Sequence, residues 1–180
     1  MIFEPMTPFV ASEYHVKYAT EAWERLGAAA LRRAVFCQEQ GLFTNDDRDD
    51  IDRVATPIVA LSMLGIAADA VVGTVRIHEE SPGLWWGSRL AVAADHRGVG
   101  ALGTALIRLA VSSAHGRGCT RFHAHVQSQN ALLFRRLHWR TIEEVELRGR
   151  PHHFMQADLA HYPPIAHPEV GFLSLPKRAA

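Results

Sequence analysis

A glycine-rich turn between an apolar strand and a long helix is the feature that most constrains the fold of this chain. The turn Arg97-Gly98-Val99-Gly100-Ala101-Leu102-Gly103 directly follows a β-rich run and opens a helical run. Such a turn gathers unpaired backbone N–H groups at the positive end of a helix dipole, and its glycines let a ligand approach the backbone. The turn therefore predicts a phosphate-binding site within an α/β fold.

The spacing of Gly98, Gly100 and Gly103 also matches the dinucleotide-binding fingerprint, but the surrounding elements do not. That fingerprint follows the first strand of a parallel βαβ unit, and an acidic residue follows it about 20 residues later. Here the turn follows the third or fourth strand of a hairpin-linked sheet. The order of elements therefore argues against a dinucleotide fold.

The hydrophobic pattern predicts the elements on both sides of the turn. Apolar residues at helical spacing predict a helix over 20–40 that Thr20 caps, and β-rich runs between turn residues predict strands. The predicted strands span 57–64, 70–78, 84–93, 120–128, 141–147 and 152–159, with a helix from the glycine turn to 116–118 and a short one over 130–138. We predict a single-domain α/β fold with a mixed, mostly antiparallel sheet flanked by helices.

The predicted domain spans residues 14–160. Residues 1–13 form an N-terminal extension, and residues 161–180 form a proline-containing tail that wraps the surface or frays.

Composition narrows the classes of partner. Nineteen basic residues balance nineteen acidic ones, so no global field draws the chain to nucleic acid or to an anionic membrane. The apolar stretch 55–75 contains Pro57 and Asp69, which indicates two core strands rather than a membrane span. The two isolated cysteines, together with an N-terminus that lacks the pattern of a signal peptide, favour a cytoplasmic location.

Several motifs resemble the GCN5-related N-acetyltransferase (GNAT) superfamily over residues 14–160. The strand residues Leu90-Ala91-Val92 precede the turn at Arg97, as the corresponding strand does in that family. Residues 72–76 match the family's third strand, and residues 31–40 match the first helix of one of its branches. More narrowly, the motifs at 86–90, 127–130 and 148–153 resemble a subfamily associated with bacterial nitrilase gene clusters.

The resemblance implies an acyltransferase that moves an acetyl or other short acyl group from acyl-CoA to the amine of a small-molecule acceptor. It implies no metal cofactor, and it allows a homodimer. The CoA-binding residues that it implies are Leu90, Ala91, Val92, Arg97, Gly98, Val99, Gly100, Ala101, Leu102, Gly103, Thr104, Asn130 and Phe134.

Two positions depart from the family's pattern. Leu102 stands where a small residue is usual, unless Gly103 fills that role through a one-residue insertion. Phe134 stands where a tyrosine commonly protonates the departing CoA thiolate. The usual acid is therefore missing, although a thiol titrates near 8.5 and its thiolate leaves without much help.

The candidate general bases are acidic and histidine side chains near the ends of two strands. Glu79 and His125 are the leading catalytic candidates, with Glu80 and His123 behind them, and a purely structural role is the competing explanation for each. A metal site built on His123 and His125 is a weaker reading, because no spacing fixes a third ligand.

Two arginines and two helix residues are the candidates for acceptor binding. Arg76 and Arg89 lie in strands that otherwise look buried, so each needs a carboxylate or a bound anion. The partner is either a carboxylated substrate or an internal acid, namely Glu39 or an aspartate of the 46–52 loop. Phe36 and Glu39 could line the acceptor pocket, although packing is an alternative role for the aromatic ring.

Three functions remain open at this stage. An acyl-CoA-dependent transferase acting on an amine leads. A non-catalytic acyl-CoA-binding or sensing module follows from Phe134 and the altered turn. The third, suggested by the first helix, is an enzyme resembling acyl-homoserine lactone synthases.

Overall fold

A computed structural model of the chain describes residues 11–98 and 101–175. These residues form one eight-stranded sheet in the order β6-β7-β5-β4-β3-β2-β1-β8. The strands are β1 (Tyr14–Tyr18), β2 (Thr56–Leu64), β3 (Ala67–Ser81), β4 (Leu84–Val92), β5 (Arg121–Gln127), β6 (Trp139–Leu147), β7 (Arg150–Ala157) and β8 (Phe172–Ser174). Every neighbouring pair is antiparallel except β4 and β5. The predicted mixed, mostly antiparallel sheet is therefore confirmed.

Three α-helices flank the sheet. They are α1 (Ala22–Arg32), which continues into a π-helical segment over Arg33–Glu39, α2 (Leu102–Gly116) and α3 (Ala131–Arg136). The predicted helix over 20–40 is thus present, and it ends before Gly41 at φ +63°.

The start of α1 differs from the prediction, because Thr20 does not cap it. The Glu24 carboxylate instead accepts hydrogen bonds from the backbone N–H groups of Thr20 and Glu21, at 2.8 and 3.0 Å. The Thr20 hydroxyl accepts a hydrogen bond from Lys17 Nζ at 2.7 Å.

The two long helices pack on opposite faces of the sheet. Side chains alternate between faces along a strand, and on β2 Ile58 and Ala60 join the cluster around α2 whereas Val59 and Leu61 pack against α1. Helix α2 is enclosed on its other side by the chain after Tyr162, since Ile165 N–H donates to the Ser112 carbonyl at 3.0 Å. This burial explains why α2 carries apolar residues on two faces.

The outer strands β1 and β8 are absent from the sequence prediction. Strand β8 lies in the proline-containing tail and pairs with β1, and Gly171 just before it has φ +63°. A Cβ atom at Gly171 would lie 1.8 Å from the Val16 carbonyl oxygen, so only glycine allows this approach. Within the described residues, no helix is long and apolar enough to cross a bilayer.

Candidate active site

Strands β4 and β5 are paired only at their first three positions. The register runs from Leu84 opposite Arg121 to Trp86 opposite His123, and it stops there although both strands continue. Beyond Trp86, the edge of β4 that faces β5 has no strand partner among residues 11–98 and 101–175. The parting of two parallel strands opens a cleft through the sheet and leaves backbone hydrogen-bonding groups available to a ligand.

A cavity of about 460 Å³ occupies this cleft. On the α2 side, its lining is apolar and includes Ile107, Ala110, Val111, Phe122, Phe134 and Trp139. On the opposite side, its lining includes Arg76, His78, Glu80, Trp86, Arg89 and His125. The cleft therefore joins an apolar channel to a polar chamber, which suits one reactant with an extended arm and a second reactant that is polar.

A β-bulge lies where β4 borders the cleft. Thr74 pairs with Ala91 and Arg76 pairs with Ser88, so Arg89 and Leu90 together oppose the single residue Val75. Arg89 adopts φ +56°, a left-handed conformation that costs energy for any residue except glycine. Bulges and strained residues of this kind concentrate at functional sites, where they re-aim a side chain or a backbone group.

A network of three arginines and three aspartates lies next to the bulge. Its members are Arg32, Arg76, Arg89, Asp47, Asp49 and Asp52. Arg76 forms a bidentate pair with Asp49 at 2.7 and 2.9 Å, and its Nη1 lies 2.8 Å from Asp52 Oδ1. The hydrogen bond from Arg76 lowers the pKa of the Asp49 carboxyl.

Arg89 also has internal partners. Its Nε donates to Asp47 Oδ2 at 2.9 Å, and its Nη2 donates to the Asp47 carbonyl at 2.9 Å and to Asp49 Oδ2 at 3.3 Å. The sequence left two kinds of partner open for Arg76 and Arg89, a carboxylated substrate or an internal acid. The structure shows internal acids, which are aspartates of the 46–52 loop. Both arginines still line the cavity, but their charges are matched within the protein.

Glu79, one of the two leading candidates for the general base, is not among the residues that line the cavity. Its Oε1 accepts a hydrogen bond from Gly83 N–H at 2.9 Å and so stabilises the β3–β4 turn. Because successive side chains of a strand point to opposite faces, its neighbours His78 and Glu80 line the cavity instead. Glu80 accepts a hydrogen bond from Trp86 Nε1 at 3.1 Å.

His125 lines the cavity, within an aromatic cluster. Its ring centroid lies 5.2 Å from that of Trp86 and 5.4 Å from that of Phe154. Desolvation lowers the pKa of His125, and His152 and His123 lower it further. A lowered pKa favours the neutral imidazole, which is the form that can accept a proton, so His125 stays a candidate general base. His123 is buried instead, with Nε2 3.1 Å from Gln156 Oε1.

The predicted phosphate-binding turn leads into α2, whose residues Ile107, Ala110 and Val111 line the cavity. Gly98 has φ +83°, Leu102 is buried as the first residue of α2, and space around Gly103 is open. Ala101 immediately precedes the helix, and Thr104 lies in its first turn. Val99 and Gly100 lie outside the described residues.

Arg97, predicted to bind CoA, and Glu39, predicted to bind the acceptor, form an ion pair with each other. Arg97 Nη2 donates to Glu39 Oε2 at 2.9 Å, and Arg97 Nη1 donates to Glu39 Oε1. Arg97 Nε also donates to the Val92 carbonyl at 3.0 Å, which ties the turn to the end of β4. Glu39 therefore lies beside the turn and is not part of the cavity lining, whereas Phe36 lines the cavity.

A family profile decides which group of proteins this architecture represents. The profile described as "Acetyltransferase (GNAT) family" matches residues 30–139, which include β2–β5, α2, α3 and the glycine turn. The chain belongs to the GNAT family. No curated protein matches the chain.

Solved structures show the same GNAT fold at low sequence identity. A protein from Lactobacillus plantarum is 21% identical with TM-score 0.70, over 80% of this chain and 97% of that one. An acyl-CoA N-acyltransferase from Pseudomonas aeruginosa is 18% identical with TM-score 0.64, over 81% and 99%. A CoA-dependent acyl-homoserine lactone synthase, solved with SAM and isopentyl-CoA, is 16% identical with TM-score 0.63, over 81% and 83%.

Three residues that the GNAT resemblance assigns to CoA line the cavity. Phe134 on α3 is 6% exposed, and its ring contacts Trp139 edge-on with centroids 5.1 Å apart. Asn130 immediately precedes α3 and also lines the cavity. Leu90 lines the cavity from β4, and Ala91 and Val92 continue that strand toward the turn.

The end of the first helix closes the polar chamber of this GNAT domain, a role that the sequence analysis missed. Gln40 accepts a hydrogen bond from Gln127 Nε2 at 3.0 Å through its side chain, and from Arg150 Nη2 at 2.7 Å through its carbonyl. These bonds join α1 to β5 and β7. The signal in the sequence is the 31–40 motif, which ends at Gln40. In the structure a π-helical segment comes just before Gln40, and such segments are frequent at functional sites.

Proposed function

We propose that this GNAT-family chain transfers an acetyl or short acyl group from acyl-CoA to the amine of a small molecule. The observation that carries the proposal is the cleft between β4 and β5, which joins an apolar channel to a polar chamber. Its channel side is lined by α2, the helix that follows the glycine turn. The chain thus has one place for a phosphate-bearing donor and another for a polar acceptor.

The unpaired edge of β4 would hold the donor. Its backbone groups beyond Trp86 have no strand partner, so they can bond to an amide-bearing arm that extends along the strand. The free N–H groups at the start of α2, together with Arg97, favour the binding of phosphate oxygens. Arg97 would have to exchange Glu39 for that anion.

Two groups of the chain would serve the chemical step. The acceptor amine attacks the thioester carbonyl carbon, so a C–N bond forms while the C–S bond breaks. His125 takes the proton from the amine, and a backbone N–H of the segment Leu90–Val92 donates to the carbonyl oxygen as its negative charge develops. The departing thiolate takes its proton from water, because Phe134 has no proton to give.

Phe134 also favours a second candidate, a module that binds acyl-CoA without catalysis. It fills the position of the usual acid with a buried ring that packs on Trp139. Losing a general acid typically costs about 10²–10⁴-fold in rate, and a thiolate is a good enough leaving group to tolerate that loss. We therefore rank the transferase first.

A third candidate, an activity like that of acyl-homoserine lactone synthases, has one structural observation in its favour. The structure of such a synthase superposes on this chain with TM-score 0.63. SAM therefore belongs in any panel of acceptors. The motifs at 86–90, 127–130 and 148–153 support our narrower proposal that the chain is a member of the nitrilase-associated GNAT subfamily.

Calorimetric titration with acetyl-CoA and CoA tests the donor site. Ala124 lines the channel from β5 and is 7% exposed, so Ala124→Leu should narrow the channel and raise the Kd at least tenfold. Ala68→Leu is the matched control, because Ala68 is exposed at the far end of β3. A thermal melt confirms that each variant is folded. An unchanged Kd in folded Ala124→Leu, or no binding by the wild type, would contradict the proposed donor site.

A further inference from the structure

One arginine that lines the polar chamber lies outside the ion-pair network. The arginines of the network beside the bulge are matched by its three aspartates, as described above. One further arginine, Arg148 in the β6–β7 turn, also lines the chamber. Within residues 11–98 and 101–175, no carboxylate lies within ion-pair distance of its guanidinium.

The backbone at Arg148 is unfavourable for arginine. Leu147 pairs with Arg150, so Arg148 and Gly149 form a two-residue turn, with φ +51° and +71°. Both central residues thus have positive φ, as in a type I′ turn, where asparagine, aspartate and glycine are preferred. An arginine at the first position costs conformational energy, and residues strained in this way are characteristic of ligand-binding sites.

The Arg148 side chain is directed to one aromatic ring of the chamber. Its guanidinium carbon lies 4.0 Å from the centroid of Phe43, and that of Arg89 lies 4.5 Å from the same centroid. Two cations therefore contact one ring, and only Arg89 has acidic partners. An anion bound beside Arg148 would relieve the repulsion between the two guanidinium groups.

We propose that Arg148 binds a carboxylate of the acceptor, so that the substrates are amines that also carry a carboxylate, such as amino acids. A guanidinium recognises a carboxylate through two parallel hydrogen bonds, and Phe43 holds the fork in place through the cation–π contact. Glu80 lies in the same chamber, with Trp86 as its partner. The inference rests on the proposed transferase function and names the substrate class of the same site.

The test compares amino acids with their C-terminal amides as acceptors, at saturating acetyl-CoA, by release of free CoA. The two sets present the same amine and differ in the carboxylate. The variant is Arg148→Asn, because asparagine suits the turn and should fold at least as stably as the wild type. Arg140→Gln is the control, since Arg140 is exposed on β6 and does not line the cavity.

The wild type should prefer the acids, and Arg148→Asn should raise their KM by about tenfold to a hundredfold, the effect of losing a hydrogen bond to a charged group. The KM of the amides and the Kd of CoA should stay unchanged, as should every parameter of Arg140→Gln.

Three results would overturn the inference. The first is equal use of acids and amides by the wild type, and the second is no turnover of any carboxylated amine. The third is a tenfold weaker CoA affinity in Arg148→Asn, which would assign Arg148 to a CoA phosphate instead. A failure of the wild type to bind CoA would contradict the proposed function itself and is read separately in the calorimeter.

Discussion

Replacing Asp47 by asparagine should remove a large part of the stability of the ion-pair network. The Asp47 side chain is 1% exposed, and its Oδ2 accepts hydrogen bonds from Arg32 Nε at 2.7 Å and from Arg89 Nε at 2.9 Å. Asparagine keeps the shape and one acceptor oxygen but removes the charge that faces two guanidinium groups. Breaking a buried pair costs about 3–5 kcal/mol, and the retained oxygen favours the lower end, about 3 kcal/mol.

Urea unfolding followed by circular dichroism measures this loss. For a chain of this size, about 3 kcal/mol corresponds to a fall in Tm of about 6–12 °C. Asp46→Asn is the matched control, because the Asp46 side chain is 44% exposed and its ion-pair partner Arg48 is 4.0 Å away. Exposed pairs contribute up to about 1 kcal/mol. Equal losses in the two variants would refute the claim that the network is a buried, coupled unit.

Three further predictions follow from single residues. Arg76 lowers the pKa of Asp49 in the folded state. The stabilisation by Asp49 is therefore complete above its unfolded pKa of about 3.9 and is lost as pH falls through the lower folded value. Asp49→Asn should flatten the acid limb of a curve of unfolding free energy against pH, and an unaltered limb would contradict this. Gly171→Ala should lower the free energy of unfolding in urea more than Gly65→Ala does. Both glycines have positive φ, which costs alanine about 1–2 kcal/mol, but of these two only Gly171 would place the new Cβ against backbone, at the Val16 carbonyl. Equal losses would show that β8 moves away freely. Phe134→Tyr should raise kcat for acyl transfer or leave it unchanged, because it restores a hydroxyl beside the leaving group. The Kd of CoA should stay constant. A large loss of turnover in the folded variant would show that the phenylalanine ring itself shapes the thiolate pocket.

Local patterns were sufficient to predict most of the fold. The glycine turn and the long apolar helix after it have signals within a few residues, and so do the hairpins around Gly65 and Gly149. Strands β1 and β8 have five and three residues. Short segments such as these become strands only by pairing with distant parts of the chain, which no local pattern encodes.

The candidate site was predicted in part, for a related reason. The sequence alone pointed to the glycine turn, Arg89, His125 and Phe134. The parting of β4 and β5 depends on long-range pairing, so no local pattern predicts it. Glu79 and Glu80 are neighbours in sequence, and the sequence could not show which of them faces the cleft. The partners of Arg76 and Arg89 come from a loop about 25–40 residues away in sequence, so the sequence left two classes of partner open.

Release of free CoA from acetyl-CoA, measured with and without a panel of small amines that includes SAM, tests the central claim most directly. Wild-type protein should release CoA at a rate that depends on the amine, and mass spectrometry should show the acyl group on the amine nitrogen. Ala124→Leu should lose this activity, whereas Ala68→Leu should keep it. Tight CoA binding without amine-dependent release across the panel would contradict acyl transfer and identify the chain as an acyl-CoA-binding module.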